Sequence, residues 1–254
     1  MSSVTSDTSL LPVYHIHPLP LVSFVQDLGS FTYGFNLGTK FDLPVFSWYI
    51  AGGNERILVD TGADAYHAKM YRGFEALDIY TFEDALLRYG LKPADIDVVI
   101  QTHLMWDHCV HTRKCTNARV IVQQDELEYA VAPHPIQAMM YRRELFMGLN
   151  LQLVNGHTEI LPGIELIPTP GHCPGCMSVG VNTEKGRAVI SGMCAVDENF
   201  NPPLGVREYM PVIPPGIHLD AVEAFNSALK IKGMADILIA SHDPALVNVE
   251  TIPD

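Results

Sequence analysis

The chain has 254 residues, of which 48% are hydrophobic and 18% charged, and a formal charge of −13. That length can bury one large core, the balance excludes a disordered chain, and the acidity disfavours polyanionic partners such as nucleic acid. No apolar run approaches a membrane span and the first twenty residues lack a basic segment before an apolar stretch, so the expectation is one cytoplasmic domain over residues 1–254 with no membrane partner.

In chain order, residues 45–60 read as two strands joined by Gly52-Gly53-Asn54, the second ending in Asp60-Thr61-Gly62. Thr81 with an acidic third position opens a helix carrying Phe82, Ala85, Leu86 and Tyr89 on one face, and Gly90 stops it. Ile96 to Ile100 form a short strand that leads into Thr102-His103-Leu104-Met105-Trp106-Asp107-His108. Arg119 to Val122 form another, leading into a helical segment over 125–148 whose Met139, Met140, Tyr141, Phe146 and Met147 suggest an apolar wall over a site, or ordinary core. Ile164 to Ile167 deliver the turn Thr169-Pro170-Gly171-His172-Cys173-Pro174-Gly175, with the His at its apex. Met177 to Val181 and Arg187 to Ile190 form a hairpin around residues 182–186, followed by Ser191-Gly192-Met193-Cys194. Residues 220–230 read as an amphipathic helix, and 236–240 as a last strand ending in Ser241-His242-Asp243-Pro244. Every chemically suggestive loop follows a strand, where open α/β sheets gather their sites.

Residues 102–108 are the most informative segment, because two imidazoles and a carboxylate there follow an apolar strand. A buried Asp beside two His is costly without a compensating cation or hydrogen-bond network, so the cluster reads as a metal site rather than as packing. Met105 stands where alternation would place a third inward-facing His. His15, His17, His111 and His157 fit no ligand spacing and read as core or surface residues, and Trp106 as packing beneath the loop. Five cysteines, Cys109, Cys115, Cys173, Cys176 and Cys194, are an odd number without an export signal, which argues against a disulfide framework. Cys173 and Cys176 have the spacing of a zinc or redox pair, yet no second pair completes a four-sulfur site.

Taken in order, strand-DTG, strand-THLxWDH, TPGHxPG, strand-SG and strand-SHDP resemble the metallo-β-lactamase superfamily over about residues 45–245. The TPGHCPG turn and the SHDP ending are most similar to its N-acyl homoserine lactonase-like branch. The resemblance implies an α/β fold, a metallo-β-lactamase-like αββα sandwich of two mixed sheets flanked by helices, with a dinuclear zinc centre at its lip. One ion of that pair would use His103, Met105 and His172, so this position has lost a ligand. The other would use Asp107, His108 and His242, all present. The bridging aspartate of the family falls on Met193, and a tyrosine three residues later is Val196. Asp60 falls on the residue that orients the motif loop.

A thioether is a poor zinc ligand beside nitrogen and carboxylate donors, so Met105 and Met193 are expected to fill volume and the centre to hold one divalent ion, zinc first, iron or manganese as alternatives. The resemblance then implies a hydrolase that opens a lactone or related cyclic carbonyl compound through a metal-bound hydroxide. Asp107, His103 and His172 are the catalytic candidates, the two His residues as base or hydrogen-bond donor if they are not themselves ligands. Cyclic amides and thioesters remain alternative substrates. Two further readings stay open, a non-haem iron-type redox enzyme with the same ligand set and a catalytically degenerate ligand-binding protein. Cys109, Cys173 and Cys194 each follow a ligand position, and Cys194 is best placed to replace the lost bridge, although neighbours on an extended segment point to opposite sides. The partner is a small molecule, and an oligomer is compatible with the sequence.

Overall fold

The computed structural model describes residues 11–254. The first ten residues of the expected domain, and with them half of the segment read for an export signal, lie outside the described residues. Strands β1 (His15–Asp27), β2 (Lys40–Ala51), β3 (Ile57–Val59), β4 (Ala76–Asp78), β5 (Val98–Ile100), β6 (Arg119–Gln123) and β7 (Leu151–Val154) form one sheet in the order β4-β1-β2-β3-β5-β6-β7. A second sheet runs β12-β11-β10-β9-β8, from β8 (Thr158–Leu161), β9 (Ile164–Pro168), β10 (Met177–Thr183), β11 (Gly186–Ile190) and β12 (Ile237–Ile239). Both are mixed. The β3-β5-β6-β7 run and the β11-β12 pair are parallel, and the remaining pairs are antiparallel.

The helices are α1 (Ala65–Arg72), α2 (Phe82–Leu87), α3 (Trp106–Cys109), α4 (Gln124–Val131), α5 (Arg143–Phe146), α6 (Asp197–Phe200), α7 (Leu204–Arg207) and α8 (Ala221–Met234). None in the described residues is long and apolar enough to cross a membrane. Between the sheets, Trp48, Ile50, Val59 and Ile100 meet Leu166, Val179, Ala188 and Ile190 in one buried cluster. Outside the larger sheet, Leu58, Val99 and Val120 pack on Phe82, Ala85 and Leu86 of α2. Outside the smaller one, Val189 packs with Ala228 and Ile231 of α8. The result is the αββα sandwich. Burial on both faces explains why β3 and β5 read as unbroken Ile-Leu-Val and Val-Val-Ile, and each such side chain contributes roughly 1.5–3 kcal/mol.

Local signals fix several boundaries. Thr81 caps α2 by accepting from Asp84 N at 3.1 Å, and Asp220 caps α8 by accepting from Val222 N and Glu223 N, both at 2.9 Å. The β10–β11 reversal is tighter than read, since β10 runs to Thr183 and β11 begins at Gly186. The helix expected over 125–148 is broken. α4 ends at Val131, residues 138–140 make a 3-10 turn, and α5 spans only Arg143–Phe146. Pro133 and Pro135 lack N–H donors and push their predecessors out of helical geometry. Of the expected apolar wall, Met139 and Met147 are exposed and Tyr141 and Phe146 belong to the core. Only Met140 lines the cleft described below.

β1 escapes the sequence reading because Pro18 and Pro20 interrupt it. The Ile16 N–H points away from β2, to the Ile252 carbonyl at 2.8 Å. At a period of two, the absent N–H groups of Pro18 and Pro20 face the same outer side, so pairing with β2 loses no bond. On that side β4 pairs only with Val22 to Phe24.

The exits of β3, β5, β9, β11 and β12 carry the suggestive loops to one rim. There the sheets touch through backbone: Met177 N donates to Thr102 O at 3.0 Å, and a Cβ on Gly192 would lie 1.8 Å from Met177 O and 2.9 Å from Thr102 Cβ. Only glycine fits this approach. Gly192→Ala is expected to force the rims apart and to destabilise the protein by about 1–3 kcal/mol or more, read from urea denaturation. An unchanged midpoint would show slack in this contact.

Candidate functional site

Asp60 leaves β3 with φ of 54°, a left-handed conformation that costs a non-glycine residue of order 1–3 kcal/mol. Its surroundings offset that cost. The buried carboxylate accepts from Thr102 N at 2.8 Å, Thr102 Oγ1 at 2.7 Å and His108 Nδ1 at 2.7 Å, and its carbonyl accepts from Ser47 Oγ at 2.7 Å. Asp60 thus holds the motif loop and aims His108, the position the sequence assigned to it.

The other imidazoles are fixed likewise. His172 Nδ1 donates to Ile217 O at 2.6 Å and His242 Nδ1 to Pro44 O at 2.9 Å. Because a carbonyl only accepts, both rings carry the proton on Nδ1 and present an Nε2 lone pair. His103 Nδ1 lies 3.1 Å from Thr102 Oγ1, whose one proton is committed to Asp60, so His103 also donates from Nδ1. The Nε2 atoms of His103 and His242 and Oδ1 of Asp107 are buried without a hydrogen-bond partner. Each such orphan costs roughly 1–3 kcal/mol unless something electron-poor meets it.

Asp107, His108 and His242 each offer one ligand atom, and all three lie within 4.8 Å of one another. Two nitrogens and a carboxylate oxygen, two of them from residues with orphaned atoms, fit a divalent ion. His103 and His172 stand beside this group. The His103 ring centroid is 3.9 Å from that of His108 and 4.9 Å from that of His172.

The altered positions are buried, and Met105 also lines the cleft described below. Met105 and Met193 are buried with Leu104, Phe146 and Phe200. Among the described residues the three-ligand group contains no thiol, while Cys194 lines the cleft beside it. Cys109 donates to Met105 O at 3.3 Å, away from the group, and burial pushes the Cys109, Cys173 and Cys194 thiols well up. His111 is buried against Phe82, whereas His157, His15 and His17 lie nearer the surface.

Burial sets the protonation states. It holds His172 and His242 at about 4, and His103 well below the usual histidine value with help from the neighbouring imidazoles. For His108 burial acts the same way, but the Asp60 and Asp107 carboxylates outweigh it and raise its value. His103, His172 and His242 are therefore neutral imidazoles available as ligands or bases.

Beside it opens a small cleft of about 50 Å³, lined by Asp107, His108 and His172 and by Phe24, Phe31 and Leu43. Trp106 is packed against Phe24 as expected, with centroids 6.1 Å apart, and also forms part of the cleft wall. Two features were missed by the sequence reading. Glu126, fully buried, accepts from Leu104 N at 2.8 Å and Tyr141 OH at 3.1 Å and so braces the motif loop from α4; burial raises its pKa. The run Gln-Asp-Glu-Leu-Glu gives no sign of which acid is buried. The aromatic wall of β1 and residues 72–74 were missed because β1 itself was.

A family model described as the Metallo-beta-lactamase superfamily matches residues 41–234. An N-acyl homoserine lactonase of Bacillus cereus is 29% identical over 208 residues, covering 75% of this chain and 80% of the relative. A crystal structure of a mutant AiiA of B. thuringiensis with N-decanoyl-L-homoserine bound at the active site matches with a TM-score of 0.76 and 27% identity, covering 92% of this chain and 95% of the other. Another, of an N-acyl homoserine lactone hydrolase with the product N-hexanoyl-L-homoserine at the catalytic metal centre, matches at 0.74 and 26%, covering 92% and 94%.

The low values of His172 and His242, and of His111 at about 4, predict acid sensitivity in the metal-free protein. Below the unfolded value near 6.5 the unfolded chain binds more protons at these positions, so stability is full above about 6.5 and falls as pH drops towards 4. Each extra proton taken up tilts stability by about 1.4 kcal/mol per pH unit, with His108 opposing in part. Denaturant midpoints of metal-free protein between pH 7 and 4 check this, and a flat profile would contradict it.

Proposed function

Because the chain belongs to the metallo-beta-lactamase superfamily, we propose that it is a lactonase-type hydrolase working with one divalent ion held by Asp107, His108 and His242. The single observation that carries the reading is this three-ligand group, complete and buried, beside a second position whose bridge and ligand are methionines sunk in the core. Zinc suits two imidazoles and a carboxylate, and iron or manganese shares the donor set. When bound, such an ion supplies Lewis-acid polarisation of a carbonyl and acidification of water.

The chain's own groups do the rest. Asp60 keeps His108 in one tautomer, and the Pro44 carbonyl does the same for His242. His103, neutral and with a bare Nε2, takes a proton from the attacking water. His172, also neutral and lining the cleft with its Nε2 lone pair, takes that proton over from His103 and delivers it to the departing ring oxygen as the lactone opens to a hydroxy acid. Phe24, Phe31 and Leu43 exclude bulk water and accept an apolar arm. The named lactonase relatives favour a lactone over cyclic amides and thioesters. They also favour hydrolysis over the redox chemistry that the same ligand set would serve, and the intact group argues against a degenerate binding protein.

Purified protein is expected to bind close to one metal ion per chain, by elemental analysis with anaerobic handling to retain iron. Two tightly bound ions would overturn the single-ion reading. Met105→His with Met193→Asp should raise the stoichiometry, and either alone should do less.

Asp107→Ala or His242→Ala is expected to abolish turnover together with metal binding. His103→Ala and His172→Ala should keep the metal while the rate falls by about 10²-fold or more. Metal content paired with hydrolysis of lactones, cyclic amides and thioesters separates the cases. If either histidine variant strips the metal, the ion sits at the other position.

A further inference from the structure

One cation in the cleft meets no carboxylate among the described residues. Arg72 is the last residue of α1, and its side chain lines the cleft with Asp107, His108 and His172. Its guanidinium lies over the Phe74 ring, 5.2 Å from the centroid, and one nitrogen touches the thioether of Met140. Among the described residues it makes no other side-chain hydrogen bond and no ion pair. This is not for want of acids, since the chain carries 29 acidic residues against 16 basic ones. Arg119 and Arg187, by contrast, meet Glu55 and Glu165.

A thioether is a weak acceptor and guanidinium has five donors, so most of its hydrogen-bonding capacity is unused against an apolar wall. A basic residue in the last turn of a helix does interact favourably with the helix dipole, but a side chain in open solvent would serve that purpose equally well. The contact with the Phe74 ring holds the guanidinium in place at the cleft wall.

Resting on the lactonase reading, we propose that Arg72 is a specificity-determining residue that selects lactones bearing a carboxylate on the arm, away from the ring. A carboxylate accepts two parallel N–H bonds from the planar fork and neutralises the charge. A neutral ester or alkyl end does neither. The −13 net charge opposes anions at long range, but exposed charges are screened beyond about 8 Å at physiological salt, so the near field of Arg72 decides the choice.

The test uses the metal-loaded enzyme and two lactones with identical acyl arms, one ending in a free carboxylate and the other in its methyl ester. Wild type is expected to have the higher kcat/KM on the acid. Arg72→Gln should lower kcat/KM for the acid about 10–100-fold more than for the ester, through KM, and Arg72→Lys should recover part of the preference. Equal losses on both substrates would make Arg72 a packing residue and overturn the inference. So would a wild-type enzyme that prefers the ester or does not discriminate. If Arg72→Gln does not fold, the wild-type and Arg72→Lys preferences decide alone. Hydrolysis of neither lactone would instead sink the lactonase reading, and this inference with it.

Discussion

The Asp60 carboxylate is the constraint on which the rim depends. It sits where β3 ends, yet its three hydrogen bonds all go to the loop that leaves β5, two to Thr102 and one to His108. Its left-handed backbone is tolerated because those bonds and Ser47 determine its place from several directions. Thr102 in turn meets Met177 and Gly192 of the opposite sheet, so one buried acid sets how the two layers meet and where His108 points. A neutral isostere would keep the shape but lose the charge that favours a cation nearby.

Much of the site was legible because ligand chemistry is local. His103, Asp107, His108, His172 and His242 stand at strand exits, and a strand exit is visible in sequence as an apolar run followed by polar and glycine residues. Asp60 was legible for the same reason. What escaped depends on the third dimension. Glu126 differs from Asp125 and Glu128 only in which way α4 turns it, and Arg72 only in what it fails to meet. β1 was hidden by prolines whose effect depends on which side of the strand they face. The central strands β3 and β5 were read correctly because burial on both faces removes any need for alternation.

The two methionines make physical sense as a pair. On the single-ion reading, a chain that lost only the terminal ligand would keep a bridging carboxylate buried without its second ion, an uncompensated charge in an apolar setting. With Met193 in place of that acid and Met105 beside it, the volume is filled by neutral, adaptable side chains that join Leu104, Phe146 and Phe200 in the core. On the single-ion reading proposed above, this leaves a smaller centre with its supporting bonds intact.

The prolines of β1 have a consequence outside the site. On its outer flank this strand is bridged at Ile16 by Ile252 and at the Leu21 carbonyl by Ile79 N and Tyr80 N, which leaves a short stretch between them with no strand paired to it. Borders with regularly spaced amide protons invite a foreign strand to dock and seed aggregates. Here two successive outward positions, Pro18 and Pro20, have no proton to offer, and the next residues pass through a bulge before β4 takes over. The same residues that obscure the strand in sequence leave that stretch without an amide proton to pair.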